Sequence, residues 1–182
     1  LVGAVARFLR DPEKILAIVK KLLNALAIPS ESVQRSVADR LAPLVASIKA
    51  NPSVAPFLDR LLDCCLNGET YGDRRGGAFG VSAMVKGLGI GVLKQRQVIP
   101  ALEAACTQGT PLNRQGALFA FECLCDRLKL LFEPYVIVIL PLLLKCFSDG
   151  SEHVRKAAHG ASRSIMANLS QHGVKLVLPK IL

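Results

Sequence analysis

The sequence predicts an all-helical solenoid in which pairs of helices repeat along the chain. A four-residue pattern of arginine, any residue, a small or β-branched residue and alanine recurs at intervals of 40, 39 and 41 residues. Hydrophobic residues make up 51% of the chain and aromatic residues only 5%, a balance that suits close packing of helix on helix. The repeated arginines are Arg35, Arg75, Arg114 and Arg155, and the repeated alanines are Ala38, Ala78, Ala117 and Ala158.

A second feature recurs at a constant distance from the repeated arginines. Fourteen residues before each of them an apolar stretch begins, at Lys21, Leu61, Pro100 and Pro141. Two apolar helices joined by a short polar turn, recurring about every 40 residues, are typical of HEAT repeats. We therefore predict a HEAT-repeat α-solenoid with about four complete helical hairpins and the start of a fifth.

The turns between the paired helices have suitable chemistry. Ser and Thr supply oxygens that cap the second helix, and Gly ends the first helix. The turn residues are Ser30, Gly68, Gly109 with Thr110, and Gly150 with Ser151. The predicted helix pairs are 12–27 with 31–49, 53–66 with 72–88, 93–107 with 112–130, and 134–147 with 152–170.

The predicted repeats form one continuous segment over residues 1–182. Their approximate bounds are 12–49, 53–89, 93–130 and 134–171, with a partial repeat at 174–182. The chain begins at Leu1 rather than Met and ends at Leu182 inside an apolar run, so we expect a fragment of a much longer protein.

Membrane insertion is not expected. The longest apolar run, residues 135–144, contains Pro141 and is far shorter than the about 20 residues that a spanning helix needs. The formal net charge is +9 and is spread evenly, so a surface that binds a polyanion would be distributed along the fold.

The six cysteines predict no metal site. None forms a Cys-x-x-Cys pair, and Cys123 and Cys125 would point about 200° apart on a helix. Cysteines in apolar helices are usually small buried hydrophobic residues, so we expect reduced thiols and a reducing, cytoplasmic environment.

The repeated arginines have two interpretations. They form either a basic stripe that contacts phosphates or a structural ladder in which each arginine pairs with an acid of the preceding turn. Glu69 and Asp149 lie six residues before Arg75 and Arg155, as the ladder requires. Arg74 and Lys156 are extra charges at the same edge. The predicted partner contacts are Arg74, Arg75, Arg114, Arg155 and Lys156.

No enzyme, cofactor or small-molecule substrate is predicted. The glycines at 87, 89 and 91 are similar to part of a nucleotide-binding loop, but they follow a helical stretch and not a strand. His153 and His159 are six residues apart, which is not a spacing that shares one helix face.

Several segments resemble one family. They are 85–90, 116–122, 131–136, 140–144, 167–170 and 172–179. These stretches are similar to the general control non-derepressible protein one family, giant HEAT-repeat translational activators of eukaryotes. The matching part of that family is itself similar to the HEAT domain of fungal elongation factor three.

The resemblance implies a non-catalytic scaffold that binds ribosomes, through rRNA or ribosomal proteins, particularly when they are stalled. It implies activation of the kinase of initiation factor two alpha during amino-acid starvation, with the kinase docking on other parts of the protein. An ATP-binding-cassette partner is also implied. The alternative is a HEAT adaptor that binds acidic protein segments in transport or in a kinase–phosphatase scaffold.

Overall fold

The computed structural model describes residues 11–177, and that part of the chain forms helices and turns with no strand. The predicted all-helical fold is confirmed. In chain order the helices are α1 (Pro12–Ala25), α2 (Glu31–Ser47), α3 (Pro56–Asn67), α4 (Tyr71–Leu88), α5 (Val92–Gln95), α6 (Val98–Gln108), α7 (Pro111–Leu128), α8 (Glu133–Phe147), α9 (Glu152–Asn168) and α10 (Gln171–Val177), with a 3-10 turn (Lys129–Phe132) between α7 and α8.

The helices pack in pairs along the stack. The pairs are α1 with α2, α3 with α4, α6 with α7 and α8 with α9, and α10 packs on α8 at the start of a fifth. The division of the chain into one segment with the repeat bounds given above stays a prediction. The last five residues of its partial repeat lie outside the described residues.

One predicted helix is split in two. The first helix of the third pair was expected to run from residue 93, but α5 ends at Gln95 and α6 begins at Val98. Gln97 between them has φ 52°, a left-handed conformation that breaks the helical hydrogen bonding.

Local sequence explains where the second helices begin. Thr70 and Asp73 form a reciprocal capping box at the start of α4, and Thr110 and Asn113 do the same for α7. Each box supplies partners for backbone N–H groups that have none within the helix. The turns of the second and third pairs therefore end in a fixed geometry that positions the first residues of the next helix.

The second helices form the inner layer of the stack. α2 packs on α4, α4 on α7 and α7 on α9, whereas the first helices contact one another less. α4 is the most enclosed, because residues 74–85 are all buried between α2, α3 and α7. The repeated alanines, Ala38, Ala78, Ala117 and Ala158, are completely buried in this layer.

In the described part of the chain, one stretch, Pro111–Phe147, is long and apolar enough to cross a membrane by length and composition alone. This is weak evidence, because core helices meet the same criteria. The stretch comprises α7, the 3-10 turn and α8, and both helices pack against neighbours in the stack.

Candidate functional site

A polar side chain near the start of each second helix binds the turn that precedes it. Gln34 Nε2 donates to the carbonyls of Leu26 and Ile28, each at 3.0 Å. The carbonyl groups at the end of a helix have no partner within the helix, and a cation there also complements the helix dipole. We call these side chains the turn clamps; they are Gln34, Arg74, Arg114 and Arg155.

The three arginine clamps use the same atom. Nη1 of Arg74 donates to Gly68 O at 2.7 Å and to Glu69 O at 2.9 Å. Nη1 of Arg114 donates to Gly109 O at 2.7 Å. Nη1 of Arg155 donates to the carbonyls of Asp149 and Gly150, at 2.7 and 3.1 Å. These arginines hold each turn to its second helix.

The predicted alignment of the repeats is therefore wrong by one residue in the first two copies. Arg35 and Arg75 fit the four-residue pattern, but Gln34 and Arg74 make the contacts that Arg114 and Arg155 make. A glutamine amide can donate to the same carbonyl groups as a guanidinium, so a search for arginine does not find it.

Arg74 is not the free charge that its sequence position suggested. It is only 4% exposed, because Nε and Nη2 donate to Gln115 Oε1 at 3.2 and 2.8 Å while Nη1 holds the turn. Burial lowers the pKa of Arg74. Its guanidinium joins the second pair of helices to the third.

Arg75 is the centre of a buried ion pair. Its Nη1 and Nη2 donate to the two carboxylate oxygens of Glu122, at 2.8 and 2.7 Å, and Nε lies 3.5 Å from Glu31 Oε2. The guanidinium also lies over the rings of Phe79 and Phe119, 5.1 and 4.8 Å from their centres. Burial alone would lower the pKa of Arg75, but hydrogen bonding to Glu122 raises it overall. These contacts connect α2, α4 and α7.

The predicted ladder is also wrong in its pairing. Arg75 pairs with acids in α2 and α7 and not with Glu69, whose carbonyl binds Arg74 instead. Asp149 pairs with Arg114 of the preceding pair, Nε to Oδ2 at 2.7 Å, while Arg155 binds only the backbone of Asp149. The hydrogen bond from Arg114 lowers the pKa of Asp149.

Among the five predicted contact residues, Lys156 has a side chain that is mostly exposed to solvent. Its side chain is 72% exposed and pairs with Glu152 one turn earlier on α9, at 2.7 Å. Lys156 and Arg75 line one open pocket of about 240 Å³ between α4, α7 and α9, together with Tyr71, Phe119 and His153. That Lys156 and the other four residues contact a partner stays a prediction, because the contacts above concern only the stack.

Lys156 belongs to a basic stripe on α9. Arg163 lies two turns further along the same face, with His159 between them, and all three are exposed. In the described residues Arg163 forms no ion pair. Sequence reasoning missed Arg163, although its spacing of seven residues from Lys156 indicates a shared helix face.

The glycines and cysteines considered in the sequence have structural roles in the described part of the chain. Gly87 belongs to the last turn of α4, where an added Cβ would collide with Val45, and Gly89 ends the helix with φ 102°. All six cysteines are free, and five of them are buried. Burial raises the pKa of Cys123 and of Cys125 to about 12.

Comparisons with known proteins find one matching family and several relatives of this chain. The family described as EF3 N-terminal HEAT repeat matches residues 74–182, which confirms the predicted similarity to elongation factor three. The chain is 47% identical over 184 residues to the stalled ribosome sensor GCN1 of Homo sapiens. It is 52% identical over 182 residues to protein ILITYHIA of Arabidopsis thaliana, and 37% identical over 182 residues to the eIF-2-alpha kinase activator GCN1 of Saccharomyces cerevisiae.

These alignments cover 100%, 99% and 98% of the chain, respectively, but only 7% of each relative. The chain therefore spans a small part of the length of the proteins it matches. No solved structure matches it.

Proposed function

Because this chain belongs to the GCN1 family of HEAT-repeat proteins, we propose that it is a non-catalytic scaffold segment of a ribosome-associated translational activator. The observation that carries the proposal is identity of 37% to 52% along essentially the whole chain with these relatives. Two relatives are described as a stalled ribosome sensor and an eIF-2-alpha kinase activator.

The scaffold works by geometry. Turn clamps and the ion pair of Arg75 with Glu122 fix each second helix relative to its neighbours. A stack held in this way presents exposed side chains at set distances, so several weak contacts act together on one large partner. The ribosome is that partner, the kinase of initiation factor two alpha is the downstream target, and the site of action is the cytoplasm. An ATP-binding-cassette protein is a further partner, on the strength of the similarity to elongation factor three.

The ribosome contact is the basic stripe of α9. Of the five residues predicted from the sequence, Lys156 has a charge that reaches solvent freely, and Arg163 extends its surface. Arg74 and Arg75 are proposed to act only by holding the stack, since their guanidinium groups are occupied by protein partners.

Co-sedimentation with purified ribosomes over a range of salt concentrations tests the contact. The double variant Lys156→Glu with Arg163→Glu is expected to bind more weakly at low salt. It is also expected to lose salt dependence, by about 0.7 in the slope of log affinity against log salt for each phosphate contact removed.

The matched control is Lys20→Glu with Lys21→Glu, which reverses two exposed lysines on α1. It changes the net charge equally but leaves the stripe intact. Equal binding by the two double variants, both folded by circular dichroism, would remove the α9 stripe from the contact. Lack of ribosome binding by the unmodified chain would count against the proposed function of this segment.

A further inference from the structure

A second open pocket lies on the inner layer of the stack, away from the α9 stripe. We call it the inner pocket; it has a volume of about 160 Å³ and lies between α2, α4 and α7. Its floor includes Phe79, Ser82 and Cys123, which are all buried. Three successive pairs of helices contribute to it, so the pocket exists only in the assembled stack.

Three cations line the inner pocket without a carboxylate partner. They are Arg35 of α2, Lys86 of α4 and Lys129 just after α7. Within residues 11–177, no acidic side chain lies within ion-pair distance of any of them. The guanidinium of Arg35 is held over the ring of Phe79, 5.3 Å from its centre, which orients its fork of N–H donors in advance.

The two acids of the pocket are already occupied by the protein. Asp39 Oδ1 accepts a hydrogen bond from Arg127 Nη1 at 2.9 Å, and Arg127 Nε donates to Ser82 Oγ at 3.1 Å. Asp126 accepts hydrogen bonds from Ser164 and Asn168 of α9. The lining thus has four basic and two acidic side chains. Arg127 is paired with Asp39, and the other three cations have no carboxylate partner.

The backbone at Lys129 is a separate observation. This residue has φ 52° and ψ −126°, a conformation that glycine adopts without cost and a lysine does not. Strained residues of this kind persist where the surrounding structure holds them and cluster at binding sites. The strain here places a lysine at the rim of a pocket that already has two unpaired cations.

We infer that the inner pocket binds a phosphomonoester, as carried by a phosphorylated serine or threonine of a partner protein. A phosphomonoester offers three acceptor oxygens and a charge of about −1.5 to −2 at neutral pH. The pocket offers three unpaired cationic donors and an excess of two positive charges. Arginine clusters bind phosphorylated motifs through the same charge-assisted hydrogen bonds.

The phosphodiester of a nucleic acid matches the pocket less well. It carries one negative charge and two free oxygens, so one of the three cations would stay without a partner. The three cations of the pocket also meet around one small concavity, whereas an RNA backbone needs a continuous row of contacts. The inference does not depend on ribosome binding and stands if the proposed function fails.

Isothermal titration of the whole chain with O-phospho-L-serine tests the inference, with L-serine, dimethyl phosphate and a uridine decanucleotide as comparison ligands. Saturable binding of phosphoserine is expected, with much weaker binding of the other three. The affinity for phosphoserine is expected to fall by about tenfold between pH 7.5 and pH 5, because the monoester loses its second charge near pH 6.

The pH dependence comes from the ligand. The charged and titratable side chains that face the pocket are Arg35, Asp39, Lys86, Cys123, Asp126, Arg127 and Lys129, and no histidine lies among them. Burial raises the pKa of Cys123 to about 12, far above this pH range. Dimethyl phosphate has no ionisation there, so its weak binding is expected to be independent of pH.

Lys129→Gly separates binding from folding. Glycine relieves the backbone strain, so the variant is expected to be at least as stable as the unmodified chain, yet its affinity for phosphoserine falls by about tenfold. Arg35→Ala is expected to have a similar effect on affinity, and Arg35→Lys a smaller one because it keeps the charge. Lys20→Ala on α1 is the matched control and leaves binding unchanged.

Three results would overturn the inference. They are equal binding of serine and phosphoserine, unchanged phosphoserine affinity in the folded Lys129→Gly and Arg35→Ala variants, and binding of the uridine decanucleotide in preference to phosphoserine. The last result would assign the pocket to nucleic acid.

Discussion

The second and fourth helix pairs carry two adjacent basic residues at the same place and use them differently. Arg74 and Arg155 both donate from Nη1 to two carbonyl groups of the preceding turn. The next residue is a buried arginine in α4, Arg75 at 5% exposure, and an exposed lysine in α9, Lys156 with a side chain 72% exposed. The two pairs thus share the contact of the first basic residue with the turn, but they differ in the exposure of the second basic residue.

The neighbours of each helix explain the difference. α4 lies between α2 and α7, and both supply acids to Arg75, namely Glu31 and Glu122. α9 packs on α7 and α8, and Lys156 finds only Glu152 of its own helix. Distance from the turn thus determines which backbone groups a side chain reaches. The flanking helices determine whether its charge is used inside the stack or is left for a partner.

Removing the buried charge is expected to have the largest effect. Arg75→Met leaves Glu122 without its partner, and breaking a buried ion pair costs about 3–5 kcal/mol. The free energy of unfolding in urea measures it. Arg163→Met on α9 is the control and is expected to stay within about 0.5 kcal/mol of the unmodified chain. A loss below 1 kcal/mol for Arg75→Met would mean that the pair does not hold the stack.

Close packing of the second helices is expected to give the next largest effect. A Cβ at position 116 of α7 would collide with the carbonyl oxygen of Cys65, so Gly116→Ala is expected to cost about 1–3 kcal/mol. Gly150→Ala tests the outer turn of the fourth pair, where an added Cβ meets nothing within 4 Å, and is expected to change little. Thermal unfolding of both variants checks the contrast, and a stable Gly116→Ala chain would contradict the described approach of α7 to α3.

The partly buried pair of Arg114 and Asp149 is expected to have an intermediate effect on stability that depends on pH. The pKa of Asp149 is lowered in the folded chain by its hydrogen bond from Arg114, while the unfolded chain keeps a value of about 3.9. Its contribution, about 1 kcal/mol, is therefore present above pH 4 and lost as the pH falls through the folded pKa.

Unfolding of Asp149→Asn in urea, compared with the unmodified chain at pH 7 and at pH 2.5, tests this dependence. The variant is expected to be less stable at pH 7, and the difference in the free energy of unfolding is expected to narrow at the lower pH. A gap of constant size would show that the carboxylate charge of Asp149 does not contribute.

The exposed pair is expected to have the smallest effect. Lys156→Ala removes an i,i+4 contact with Glu152 on a solvated helix face, which contributes about 0.3–0.5 kcal/mol. Unfolding at low and high salt checks it, since salt screens an exposed pair. A loss of 2 kcal/mol or more would place Lys156 among the residues that hold the stack.

The sequence predicted the architecture because its signals are local. Helix caps such as Ser30 and Thr110 mark the turns, and the interval of about 40 residues marks the pairs. Gln97 is an exception. Its left-handed conformation splits the first helix of the third pair, and glutamine is not a residue type that indicates this conformation.

Side-chain partners were harder to predict because they come from other repeats. The sequence suggested acids in the preceding turn for Arg75, but Glu122 lies 47 residues away in α7. The partners of Arg75 could have been found by looking for acidic residues in the flanking second helices, and not in the turn near Arg75 in the sequence. The inner pocket was missed for the same reason, because its unpaired cations come from three different repeats. Arg35 belongs to α2, Lys86 belongs to α4, and Lys129 directly follows α7.

Two double-mutant cycles in urea unfolding test most directly the claim that neighbours decide how these charges are used. One cycle combines Arg75→Met with Glu122→Gln, and the other combines Lys156→Met with Glu152→Gln. The account predicts a coupling energy of about 1.5–3 kcal/mol for the buried pair and at most about 0.5 kcal/mol for the exposed pair. Equal coupling energies in the two cycles would contradict it.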